Sequence, residues 1–333
     1  MSSADPHTVI IGEGVIGEVV NLLADCESPL LVTDEQIYGR YGTSVDELLG
    51  TKDRWLMVSD YEKKRYSMAY GTDMILGFGG GRSIDVAKLL ARDTGLDWMA
   101  IPTAASHDGI ASDVASVSQN GYRYSVKCKS PKAVIADLSI IAEAPPRLRL
   151  AGIGDVVSKA SSLDEWRLGH ETRGEPFDDA IFSFVNSALS SVLKDNSLDA
   201  LIKAQIDCGK AMSQFGSSRP CSGTEHAISH ALDRDQLDLH GLQVALATPL
   251  CVYYLHGSGY AKYRTSDLIG FFKETRIPTR LTDFGIGRER FLDSIRHAKE
   301  IMKKRDRYSI LEHVGASDSD IVATLMELSM IDG

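Results

Sequence analysis

The apolar positions of the chain fall into two textures. Short apolar runs recur through the first half, at Thr8-Val9-Ile10-Ile11, Leu30-Leu31-Val32-Thr33, Trp55-Leu56-Met57-Val58, Met74-Ile75-Leu76, Asp97–Pro102 and Lys132–Asp137. Runs this short, bounded by Gly, Pro, Asp and Ser, predict buried strands. Between them the apolar residues take helical spacing, as over Tyr61–Tyr70 and from Ser83 onward, where Ile84, Ala87, Leu90 and Ala91 share a face. Ala111–Val117 and Tyr122–Val126 predict a hairpin. Strands alternating with helices predict a mostly parallel sheet with helices on both faces. After Ala144-Pro145-Pro146 strand signals nearly vanish and the chain reads as helices. Paired prolines end one element and set the entry of the next. The reading is therefore an α/β domain over 1–144 and a helical domain over 145–333, with no fixed repeat and no low-complexity segment.

Two glycine turns compete for a ligand. The later one, Gly77-Phe78-Gly79-Gly80-Gly81-Arg82-Ser83-Ile84-Asp85, follows an apolar strand and opens a helix. Glycines allow a sharp turn and a close backbone approach, and a helix N-terminus adds unpaired N–H donors and partial positive charge. Together they make a pocket for phosphate or pyrophosphate. The turn lacks the Gly-Lys-Ser/Thr ending of a Walker motif, which argues against nucleotide triphosphate hydrolysis. The earlier one, Gly12-Glu13-Gly14-Val15-Ile16-Gly17, is a literal Gly-x-Gly-x-x-Gly after the first strand. Asp34 lies about 20 positions past Gly14, where dinucleotide folds keep a ribose-binding acid. Pattern alone does not choose between them. A third loop, Thr103-Ala104-Ala105-Ser106-His107-Asp108-Gly109, follows a strand end, where open α/β sheets bind ligands.

Bulk properties narrow the partners. A net charge of −10 argues against nucleic acid or an acidic membrane surface, so an anionic substrate needs a local cluster of donors. The five cysteines are scattered without a Cys-x-x-Cys pair, as expected of thiols in a reducing compartment. The first residues show no signal-peptide pattern, and the most apolar later stretch, Gly241–Leu255, is too short to span a bilayer. A cytoplasmic protein is expected.

Three motifs in the helical half carry candidate chemistry: Gly154-Asp155 with Lys159 one turn on, Ser222–His230, and Leu239-His240-Gly241. His226 and His230 stand one helical turn apart and share a face. Imidazoles with a carboxylate form a common metal-binding set with an open position. Each residue also has an ordinary reading: an Asp155–Lys159 pair, a solvated histidine face, a turn at His240. Three histidines within fifteen positions make the metal reading competitive.

Read jointly, these motifs resemble the iron-containing alcohol dehydrogenase and dehydroquinate synthase superfamily, and within it the glycerol-1-phosphate dehydrogenases. The resemblance rests on Gly79–Lys88, Ile101–Gly109, Gly154-Asp155 and the two histidine motifs, spans roughly residues 8–256, and is tilted to that branch by Ser106-His107-Asp108-Gly109. It implies a dehydroquinate synthase-like fold: an N-terminal dinucleotide-binding domain and an all-helical metal domain. It implies that Gly79, Gly80, Gly81, Arg82, Ser83, Ile84, Asp85, Thr103, Ala104, Ala105, Ser106 and Ser112 hold NAD(P)(H), with Asp34 a weaker candidate for the ribose. Asp155, His226 and His240 match ligands of one divalent metal, zinc being usual and iron or nickel found in some relatives. Asp108, Asp155 and His230 match substrate-contacting and catalytic positions.

The activity so implied is NAD(P)H-dependent reduction of dihydroxyacetone phosphate to sn-glycerol 1-phosphate for ether phospholipids, by an enzyme that assembles as a homo-oligomer. A polyol dehydrogenase on unphosphorylated glycerol and a dehydroquinate synthase-like lyase are the alternatives, with a non-catalytic dinucleotide-binding regulator ranked behind them. The phosphate-binding side chains are not legible; Lys127, Lys159, Lys210 and Arg219 are the candidates.

Overall fold

The computed structural model describes Pro6 and residues 8–50, 54–119, 122–233 and 238–332. Among the described residues eight strands are present: β1 Thr8–Gly12, β2 Pro29–Thr33, β3 Trp55–Met57, β4 Met74–Gly79, β5 Asp97–Pro102, β6 Val114–Gln119, β7 Tyr122–Lys127 and β8 Ala133–Asp137. Six of them form one sheet in the order β1-β8-β5-β4-β2-β3, with every neighbouring pair parallel. β6 and β7 pair separately. The helices of the strand-bearing part are α1 Glu18–Leu22, α2 Glu35–Leu49, α3 Tyr61–Ala69, α4 Gly81–Thr94 and α5 Leu138–Ala142. There follow α6 Pro146–Val157, α7 Lys159–Arg173, α8 Asp179–Lys194, α9 Leu198–Phe215, α10 Thr224–Leu232, α11 His240–Gly257, α12 Thr265–Thr275, α13 Arg288–Lys304, α14 Ile310–Val314 and α15 Asp318–Glu327.

β2, β4 and β8 are buried along their whole length, the burial a parallel sheet requires because helices cover both faces. Val19, Leu23 and Val45 pack from the helices onto Leu31, Leu76, Phe78, Met99, Ile101 and Ile135. From β2 the chain winds outward to β3, then returns to β4 on the other side of β2 and continues to β5. The winding therefore reverses between β2 and β4. Doubly wound sheets bind their ligands at the carboxyl ends of the strands flanking such a point.

The strands expected from the apolar runs are all present, with small shifts at the ends. β4 runs on through Gly77 and Phe78 to Gly79, and α4 begins at Gly81, ahead of the first apolar position of its face. Val58 opens a short 3-10 turn, and the hairpin begins at Val114.

The chain forms two compact units. The first holds 1–117, 125–149 and 197–214, and the second 118–124, 150–196 and 215–333. A single cut after Ala144 does not describe this partition, because α9 goes with the first unit. Gly209 seats it there: a Cβ at that position would stand 2.9 Å from the Asp108 carbonyl oxygen and from the Ser112 nitrogen. Asp113 N–H also donates to Ser213 Oγ at 3.1 Å. In the second unit α11 is buried from Gly241 to Val252, and α10 packs against α7, α11 and α13. Among the described residues no helix is long and apolar enough to cross a membrane.

Candidate functional site

In the first unit the two glycine turns have opposite fates. At the end of β1, Gly14 takes φ 68°, and its N–H donates to Asp137 Oδ1 at 3.1 Å while Ile16 N–H donates to Asp137 Oδ2 at 2.9 Å. Asp137 is buried and also caps α5 through Ser139 N–H. The anion place of the Gly-x-Gly-x-x-Gly turn is thus filled by the chain's own carboxylate.

The turn after β4 is left open. Gly80 caps α4 with no side-chain hydrogen bond, so the first amides of the helix point out with no cap to receive them. Gly79 has φ 157°, and a Cβ there would stand 2.4 Å from Ser83 Oγ; one at Gly81 would stand 1.9 Å from His107 Nε2. A side chain at either place would have to displace Ser83 or His107. Around it, at the ends of β2, β4 and β5, the buried hydroxyls of Thr33, Ser83 and Thr103 have no hydrogen-bond partner among the described residues. Buried hydroxyls normally find one, so three orphans beside an uncapped helix mark a place for an oxygen-rich anion such as pyrophosphate. Asp85 and Ser112 are tied to the fully buried Lys88, whose Nζ lies 3.4 Å from Asp85 Oδ1 and 3.2 Å from Ser112 Oγ. Ala104 and Ala105 are buried, Ser106 is half-buried and Arg82 is exposed. Asp34 Oδ1 caps α2, accepting from Gln36 and Ile37 N–H at 3.0 Å. Asp108 opens the short 3-10 turn after β5, which His107 caps by accepting from Gly109 N–H.

In the second unit, Asp155 on α6, His226 on α10 and His240 at the start of α11 offer ligand atoms that all lie within 4.8 Å of one another. Two glycines make this possible. A Cβ on Gly154 would meet the Gly241 carbonyl oxygen at 2.6 Å, and one on Gly241 would meet the Ala151 carbonyl oxygen at 2.0 Å. α6 and α11 therefore touch backbone to backbone, which carries Asp155 to His240. Glu165 holds the start of α10 by accepting from Thr224 N–H at 2.8 Å.

Hydrogen bonds set both imidazoles. Glu225, fixed by Gly223 N–H and Ser161 Oγ–H, accepts from His226 Nδ1 at 2.8 Å. Ser229 gives its one proton to Gln243 Oε1 at 2.8 Å, so at its other contact it must accept from His240 Nδ1, also 2.8 Å. Nδ1 of each ring is thereby engaged, which leaves Nε2 as the nitrogen a metal would take in place of any proton. His226 Nε2 is 3.3 Å from Asp155 Oδ1, and Lys159 Nζ is 3.3 Å from the same oxygen. Burial opposes ionisation of Asp155, yet Lys159, then His226 and His240, hold its carboxyl well below the usual range. Burial likewise pulls His226 down, but its hydrogen bonds to Asp155 and Glu225 outweigh that and raise it. A buried carboxylate and two tautomer-locked imidazoles are a donor set for zinc or a similar divalent ion.

His230, one turn beyond His226, has its ring centroid 5.7 Å from that of His240. Arg305 Nη2 donates to its Nδ1 at 3.0 Å, which leaves the His230 proton on Nε2.

A family model described as iron-containing alcohol dehydrogenase matches residues 10–145. A protein of Archaeoglobus fulgidus named glycerol-1-phosphate dehydrogenase (NAD(P)+) is 35% identical, with 93% of each chain covered. One of the same name from Thermococcus kodakarensis is 34% identical, with 92% of each chain covered. The chain belongs to the glycerol-1-phosphate dehydrogenase family. Among solved structures, a probable glycerol dehydrogenase from Sinorhizobium meliloti 1021 superposes with a TM-score of 0.75 at 23% identity, covering 97% of this chain and 96% of that one. Glycerol dehydrogenase from Schizosaccharomyces pombe gives 0.72 at 17%, covering 98% and 93%. These two share the fold.

Several residues of this family member escape sequence reading. Thr33 and the positioning set of Glu225, Ser229 and Gln243 were not singled out, although Thr33 precedes Asp34 and Glu225 precedes His226. Of the candidate phosphate ligands, Arg219 is held by Glu165 at 3.3 Å and Glu175 at 2.8 Å, and Lys127 by Asp113 at 2.5 Å. Lys159 is buried against Asp155. Arg305, beyond the span of the resemblance, lies against His230.

Proposed function

We propose that this chain reduces dihydroxyacetone phosphate to sn-glycerol 1-phosphate with NADH or NADPH, using one divalent metal, zinc by preference. The observation that carries the reading is the buried Asp155–His226–His240 set, intact in a chain about one-third identical along its length to relatives bearing that enzyme's name. In this reading Asp155, His226 and His240 hold the metal. The amides of Gly81 to Ser83 and the hydroxyls of Thr33, Ser83 and Thr103 receive the cofactor's pyrophosphate. Gly79 to Asp85, Thr103 to Ser106 and Ser112 line the dinucleotide, and Asp34 serves the adenosine ribose through the oxygen not used in capping α2.

When bound, the metal supplies a Lewis acid for the ketone oxygen and the reduced nicotinamide supplies the hydride. The chain's own residues do the rest. Glu225 and Ser229 keep the two imidazoles aimed, and Lys159 offsets the charge of Asp155. His230, with its proton on Nε2, donates a hydrogen bond to the substrate oxygen as negative charge develops there, and the proton that completes the alcohol comes from solvent. Asp108 accepts from the substrate's free hydroxyl. The product then feeds ether-phospholipid synthesis, and the enzyme works in the cytoplasm as an assembly of identical copies.

The test is NADH and NADPH oxidation with dihydroxyacetone phosphate, beside dihydroxyacetone, before and after chelation. Chelator-sensitive turnover is expected, much faster on the phosphorylated ketone than on the free one, with the sn-1 product. Equal turnover of free dihydroxyacetone would move the reading to a polyol dehydrogenase. Phosphate release with no lasting absorbance change would move it to a lyase.

A further inference from the structure

Lys303-Lys304-Arg305-Asp306-Arg307 ends α13, and basic residues at a helix C-terminus ordinarily complement its dipole. Two of these residues do something else. The chain turns sharply at Asp306, in the left-handed region at φ 53°, and Arg307 N–H closes the turn on the Met302 carbonyl at 3.0 Å. Arg305 is thereby sent to His230 Nδ1, and Arg307 to the Ser222 carbonyl and Ser218 Oγ, each at 3.1 Å. Both side chains are half-buried.

Among the described residues no carboxylate lies within ion-pair distance of Arg305 or Arg307. The nearby Arg219 takes both Glu165 and Glu175. Burial, then the neighbouring Arg305 and Arg219, bring Arg307 down to about 9, with Glu175 and Glu165 offsetting only part of this. Charges drawn partly out of water are normally paired, so two neighbouring guanidiniums with no carboxylate in ion-pair contact among the described residues carry a cost that an incoming anion removes. A guanidinium binds phosphate oxygens in a fixed two-pronged geometry, and two of them match a dianion. Their position fits the chemistry: Arg305 touches His230, whose ring neighbours that of the metal-set residue His240.

We infer that Arg305 and Arg307 form the anchor for the phosphate monoester of the substrate, which one methylene separates from the ketone at the metal set. This rests on the proposed activity, because it takes the phosphorylated ketone as the molecule bound.

The experiment compares wild type, Arg305→Met, Arg305→Lys and Arg307→Met on dihydroxyacetone phosphate and dihydroxyacetone, with inorganic phosphate binding to the same holoenzymes measured by calorimetry. Arg305→Met should lower turnover of both ketones, because it also releases His230. Its loss on the phosphorylated ketone should exceed that on the free ketone by about tenfold or more, mostly in KM. Arg307→Met, which does not touch His230, should raise KM for the phosphorylated ketone about tenfold with kcat nearly kept. Phosphate binding should weaken in both, and Arg305→Lys should recover part of it. Equal losses on the two ketones, or phosphate binding unchanged in both methionine variants, would overturn the anchor. If wild type shows no preference for the phosphorylated ketone, the proposed substrate has failed; the anchor then stands or falls on calorimetry alone.

Discussion

The turns at Gly12–Gly17 and Gly79–Asp85 carry the same local recipe: a strand, closely spaced glycines and the start of a helix. They differ in who meets the exposed amides. At the first turn Asp137 arrives from the end of β8 and accepts from Gly14 and Ile16. At the second no side chain caps α4, and three buried hydroxyls stand around it without partners. Glycines specify a nest for an anion. Whether the chain supplies that anion is decided by a residue more than 100 positions away. The same contrast recurs in the second unit, where two carboxylates pair with Arg219 and, among the described residues, none pairs with Arg305 or Arg307. Groups that the fold leaves unmet are the ones read here as ligand-binding.

This contrast can be pressed at several places. The largest effect is expected at a group that is fully met. Glu225 lies beneath His226 and fixes its ring, so Glu225→Gln should weaken metal affinity about 10- to 100-fold, measured by competition with a chromophoric chelator. Unchanged affinity would remove Glu225 from the positioning set. Asp137→Asn takes one acceptor from the first turn and turns an NH2 toward its amides. It should cost about 1–3 kcal/mol of stability in denaturant melts while dinucleotide affinity stays as in wild type. Loss of dinucleotide affinity without loss of stability would reverse the roles of the two turns. The smallest effect is expected at Ser83, whose hydroxyl has no partner in the fold. Ser83→Ala should leave the melting midpoint nearly unmoved and weaken dinucleotide binding by about one hydrogen bond, roughly three- to tenfold.

Much of the first unit was legible because its strands are buried on both faces and so read as unbroken apolar runs. The return of α9 was not, since an amphipathic helix does not announce which unit buries it; the signal was Gly209, one glycine inside a helix. In the second unit the helical spacing of His226 and His230 was visible, yet spacing alone pairs those two. The structure instead groups His226 with Asp155 and His240. The reason is the backbone contact at Gly154 and Gly241, which depends on two helices far apart in sequence. The resemblance supplied that trio; periodicity did not. Arg305 and Arg307 went unread because a basic helix end is ordinary, and only the turn at Asp306 redirects their side chains.

The central claim is that an unmet nest binds the dinucleotide and a met one does not. Fluorescence titration with NADH of wild type, Gly14→Ala and Gly81→Ala tests it directly. A Cβ on Gly14 meets nothing within 4 Å, although its φ of 68° carries a backbone cost of about 1–2 kcal/mol. Gly14→Ala should therefore lose some stability and keep its Kd within about twofold. Gly81→Ala puts a methyl against His107 at the mouth of the open turn, and its Kd should rise at least tenfold, about the worth of one charge-assisted hydrogen bond. A Kd that rises in Gly14→Ala and holds in Gly81→Ala would contradict the account.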